Sequence, residues 1–90
     1  MRVTYVATFG DCVVVTHSWS TGIIKAASLH VLAAVPRSTL FEYRVQQTAF
    51  NLALNKERFP LVSGCVHRSA GPGTDIVIDD EVVEKYRIHP

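Results

Sequence analysis

Charge of one sign and cysteine are both scarce in this chain, and each scarcity excludes a class of function. Nine Lys and Arg stand against eight Asp and Glu, leaving a formal net charge of +1 over 90 residues. No global field therefore draws the protein to nucleic acid or to an anionic membrane. Cys12 and Cys65 could form one disulfide at most, too little for the stapled scaffold of a small secreted domain. Met1-Arg2 runs directly into Thr4 and Tyr5, without the apolar h-region and small-residue cleavage site of a signal peptide. The longest apolar-rich stretch, Ile23 to Val35, is interrupted by Lys25 and His30 and is too short to cross a bilayer. A cytoplasmic protein with free thiols and no membrane partner is expected.

What the chain has in excess is apolar side chains. Hydrophobic residues make up 48% of the sequence and charged residues 19%. A chain of this mass buries only about 60–65% of its unfolded surface. Apolar groups beyond that capacity lie outside, where a contiguous patch marks a partner or a self-association face.

The pattern along the chain predicts one domain over residues 1–90, with no repeat, low-complexity segment or linker. Arg2 to Phe9 alternates, Gly10-Asp11 punctuates it, and Cys12 to His17 is a β-branched run; together these read as a hairpin. Ser18 to Gly22 is a turn that supplies a hydroxyl for a helix cap. Helical spacing follows from Gly22 to Val35, with Thr21, Lys25 and Ser28 on a narrow polar stripe and His30 on the apolar side, and Pro36 ends it. Thr39 to Glu42 matches a capping box, so a second helix is expected to about Arg58, before Pro60. Leu61 to His67 and Asp75 to Asp79 read as strands joined by the Gly-Pro-Gly loop Arg68–Thr74. The tail Asp80 to Ile88 fits either a strand or, with Asp80 and Glu81 at its start, a short helix; the helix is preferred. The fold class is α+β, in the order β-β-α-α-β-β: a four-stranded antiparallel sheet covered on one face by two helices.

No motif names a reaction. Cys12/His17 and Cys65/His67 lack the spacing of zinc ligands. Cys65-x-His67 could be a thiol nucleophile with its base, but a thiol packed inward is the simpler reading. Asp75, Asp79, Asp80 and Glu81 lack an EF-hand spacing, and they serve as gatekeepers beside the sticky Ile76-Val77-Ile78 run. Arg68, Gly71, Gly73 and Thr74 could cradle an anion in a loop nest, although Pro72 removes one donor and the P-loop order is absent. No metal or cofactor is expected, and nucleic acid is disfavoured because Arg44, Lys56 and Arg58 are diluted by Gln and Asn.

The leading functional expectation is a non-enzymatic protein-binding module. It would be a homodimeric adaptor or inhibitor, for example a viral or phage accessory protein acting on a host factor. Its contact residues would be Tyr43, Phe50 and Leu54 on a second apolar stripe of the second helix, with Arg68 and Trp19 as further contacts. The alternatives are a small-ligand or anion-binding protein using loop 68–74, and a Cys65/His67 thiol enzyme.

Overall fold

A computed structural model describes residues 9–89. Among them the regular elements are three helices and no strand: α1 (Gly22–Ala34), α2 (Ala49–Ala53) and α3 (Asp80–Lys85). The four-stranded α+β sheet is therefore not formed. The expected strand Arg2–Phe9 lies outside the described residues except for Phe9. Cys12 to His17 keeps a strand's alternation, with Val13 and Val15 exposed and Val14 and Thr16 half-buried. Among the described residues no strand is hydrogen-bonded alongside it. The other two expected strands make only isolated bridges, Val62 with Cys65 and Asn55 with Ile78. The first closes a tight turn through Ser63 and Gly64, both at positive φ, and so folds residues 61–67 back on themselves.

Helix α1 forms where its spacing predicts and stops at Val35, which turns extended before Pro36. Its polar stripe is not the exposed face that the sequence reading made it. Lys25 and Ser28, expected in solvent, are buried, as are Ala26, Leu29 and Leu32, whereas Ile23 and Ile24 are exposed. The cause is the segment after the helix, which crosses this face and offers Lys25 a carbonyl and a ring. Lys25 Nζ donates to Arg44 O at 3.4 Å and lies 4.6 Å from the Tyr43 ring centre. His30 is half-buried and bonds Ala26 O through Nδ1 at 2.8 Å, so Nδ1 carries a proton.

The second helix is much shorter than its sequence suggests. Residues 39–47 are not helical, and no capping box forms at Thr39 because Glu42 is engaged elsewhere. The working cap is Thr48, whose hydroxyl accepts from Asn51 N at 3.2 Å. At the other end Arg58 curls back to donate to Leu52 O at 2.7 Å and Asn55 O at 2.6 Å. The bond to Leu52 satisfies a late carbonyl of α2, which ends well short of Arg58. Helix α3 matches the preferred reading of the tail. Asp79 caps it through bonds from Glu81 N and Val82 N, and acids occupy its first turn with Lys85 in its last.

Ala26, Leu29 and Phe59 form a small core cluster flanked by Phe41, Val66 and Ile76. Asn55 also lies inside, 2% exposed. Its carboxamide sits against Gly22, where an added Cβ would lie 2.5 Å from Asn55 Oδ1. A glycine at the first turn of α1 is thus required by close approach. Gly22→Ala is expected to cost about 1–3 kcal/mol through overpacking. Asn55→Ala should recover at least ~1 kcal/mol of that loss, because the clash is shared. Urea titrations of the two single mutants and the double mutant check this, and strict additivity would contradict it.

Candidate functional site

The run Cys12 to His17, helix α1 and the run Leu40 to Arg44 follow one another along the chain, and neither run forms a strand. His17 ends the first run and Glu42 lies in the second. α1 returns the chain so that they meet: His17 Nδ1 lies 2.8 Å from Glu42 Oε1. A carboxylate only accepts, so Nδ1 carries a proton, and in the neutral ring Nε2 keeps a free lone pair.

Three further contacts fasten this pair. Ser18, 2% exposed, donates its hydroxyl to Glu42 O at 3.1 Å. Trp19 stacks on His17, with ring centres 6.2 Å apart and planes 7° from parallel. Arg44 lies 4.7 Å over the Trp19 ring while its Nη1 donates to Trp19 O at 2.7 Å. Arg44 is two residues beyond Glu42, so one guanidinium ties the loop after His17 to the segment that bears Glu42. Both members of the pair remain accessible, with His17 and Glu42 side chains 67% and 50% exposed.

The residues singled out from sequence fall elsewhere. Tyr43, Phe50 and Leu54 share no helical stripe, because Tyr43 precedes α2. Its hydroxyl donates to Phe59 O at 2.9 Å, Phe50 packs edge-on against Tyr86 at 5.0 Å and Leu54 is buried. Trp19 does join the site, as the stacking partner of His17. Arg68 is exposed and donates to its neighbour Ser69 O. In the loop, Gly71 N donates to the Asp75 carboxylate at 3.1 Å, so the chain's own acid occupies the position an anion would take. Gly73 sits at φ +62° and serves the turn, and Thr74 O accepts from the Ser69 hydroxyl. Cys65 and His67 both line an open groove of about 400 Å³ beside α1, and no hydrogen bond joins them. The thiols, expected to be packed inward, are both exposed, and among the described residues no sheet forms to bury them. Among the described residues no three His, Cys, Asp or Glu side chains group to hold a metal ion. Nor is any helix long and apolar enough to cross a membrane.

Comparison with known proteins sets this pair in the context of a family. The family model described as enolase C-terminal domain-like matches residues 1–82. The chain belongs to this family. It is an α/β-barrel family of enzymes, which overturns the non-enzymatic binding module and the inhibitor or viral accessory role read from size and plainness. The D-galactarolactone cycloisomerase of Agrobacterium fabrum (strain C58 / ATCC 33970) is 27% identical over 95 residues, covering 97% of this chain. The chain spans about a quarter of the length of that curated relative, 25%. No solved structure matches the chain.

The sequence signal for the site was the position of His17 and Glu42, one at the end of a β-branched run and the other just beyond the helix that follows it. Reading Thr39–Glu42 as a capping box concealed it. Since both cysteines face solvent, two thiols per chain are expected to react with a chromogenic disulfide in the native state. Cys→Ser at each should change stability by no more than about 0.5 kcal/mol. Reaction only after denaturation would contradict the exposed placement.

Proposed function

We propose that this chain supplies a proton-transfer pair, His17 and Glu42, to an α/β-barrel enzyme that isomerises a sugar-acid lactone. The observation that carries the reading is the 2.8 Å His17–Glu42 contact between two runs on either side of α1. The class of substrate follows the name of the cycloisomerase relative. Isomerising a lactone neither adds nor removes atoms, so a proton taken from one position is delivered at another. One imidazole can do both. Nε2 of His17 accepts the proton, and Glu42 at Nδ1 holds the ring in the tautomer that leaves Nε2 free and stabilises the imidazolium that results. Trp19, stacked on the imidazole and covered by Arg44, helps hold the ring in place. Ile23, Ile24, Leu52 and Val77, all exposed, are apolar surface that further barrel elements would cover. A cytoplasmic setting suits the two unpaired thiols.

The test is transfer of solvent deuterium into D-galactarolactone, followed by proton NMR alongside formation of the isomer. It is run on the chain alone and on the Agrobacterium relative carrying this chain in place of its matched segment. Turnover is expected in at least one setting, falling by about 10²–10⁴-fold in His17→Gln and substantially in Glu42→Gln. Wild-type rates in both variants, or no turnover in either setting, would contradict the proposal.

A further inference from the structure

The groove beside α1 that holds Cys65 and His67 lies apart from the His17–Glu42 pair. Phe41 and Tyr43 line it, while Glu42 between them bonds His17. Its volume of about 400 Å³ falls in the range of small-molecule sites, ~300–1,000 Å³. It equals ~13 water-sized groups at ~30 Å³ each, about the size of a ten-carbon carboxylate.

The lining is divided by chemistry. Leu29 and Leu32 from α1, with Leu40, Phe41, Leu61 and Val66 from the segments around it, supply an apolar surface. Leu40 and Leu61 are 63% and 55% exposed, so large apolar side chains stand in water here. An apolar chain laid along the groove removes that surface from solvent. The charged and donor groups sit on consecutive residues. Arg68 donates from Nη1 to Ser69 O at 2.9 Å, and its other N–H groups have no partner among the described residues. The His67 ring is also without a hydrogen-bond partner among the described residues. Among the described residues no Asp or Glu lines the groove. Asp75, the next acid along the chain, accepts instead from Gly71 N.

An apolar surface that ends in a free cationic donor defines a ligand with an apolar tail and an anionic head. We infer that this groove binds a medium-chain fatty acid, its carboxylate on Arg68 and His67 and its chain on Leu29, Leu32, Leu40 and Leu61. Nε and Nη2 of Arg68 remain for two parallel bonds to a carboxylate, a geometry that a neutral alcohol cannot use. Charge fixes the head, and buried methylenes add affinity in proportion to chain length. Cys65 stands on the lining and reports occupancy, whereas Cys12 is exposed outside the groove. The site does not depend on the proton-transfer reading.

Calorimetric titration of the full chain with hexanoate, octanoate and decanoate provides the test, with acetate and 1-octanol as controls. Affinity is expected to rise about ten-fold for each two methylenes added. Octanoate should bind at least about ten-fold more tightly than 1-octanol, the ratio that a hydrogen bond to a charged group supplies. Arg68 is exposed, so Arg68→Ala should stay folded and lose octanoate affinity by about ten-fold or more. Leu40→Asp, which sets a like charge in the apolar lining, should lose it too, and His17→Gln should leave it unchanged. Decanoate should also slow the reaction of Cys65 with a chromogenic disulfide in Cys12→Ser, and leave Cys12 unaffected in Cys65→Ser. No decanoate binding, no gain with chain length, equal binding of 1-octanol, normal binding by Arg68→Ala or an unprotected Cys65 would overturn the site. Loss of binding in His17→Gln would place the ligand at the His17–Glu42 pair and overturn it equally. Shielding of Cys65 that grows with protein concentration and needs no acid would assign the groove to a second copy of the chain instead.

Discussion

The arrangement depends on one lateral contact, the docking of residues 42–44 against residues 17–20. Arg44 reaches across to the Trp19 carbonyl and ring, Ser18 bonds the Glu42 carbonyl, and Glu42 takes the His17 imidazole. These contacts decide what the intervening helix buries. Because the second run crosses the Lys25 side of α1, a lysine and a serine go inside and two isoleucines stay out.

Local signals in the chain were legible where the partner was also local. α1 stops beside Pro36 because proline restricts the residue before it, and α3 begins at Asp79 because its carboxylate can reach two free N–H groups. Signals that depended on distant partners misled. Thr39 and Glu42 carry a capping-box spacing, yet a partner 25 residues away took the carboxylate. The strand signals at Cys12–His17, Leu61–His67 and Asp75–Asp79 are real propensities, but a propensity becomes a strand only when a neighbour completes its ladder. Asn55 was hidden for a related reason, since helical projection makes it polar surface only if the helix extends through it, and α2 ends at Ala53.

The apolar surplus was the most informative bulk feature, and its meaning changes with the family. Read alone, it suggests a docking module. In a member of an α/β-barrel family that spans 25% of its relative's length, exposed Ile23, Ile24 and Val77 fit surfaces awaiting neighbouring elements. The small core of Ala26, Leu29 and Phe59 agrees with that view. The polar groups tell a complementary story: Arg44 and Ser18 fasten a matched His–Glu pair.

The most direct test of the account is the tautomeric state of His17, read from the nitrogen-15 shifts and two-bond couplings of its ring. With Glu42 accepting from Nδ1, neutral His17 is expected to hold its proton on Nδ1, and Glu42→Gln should weaken that preference. A ring protonated on Nε2 in the native chain, unchanged by Glu42→Gln, would show that the pair does not exist in solution.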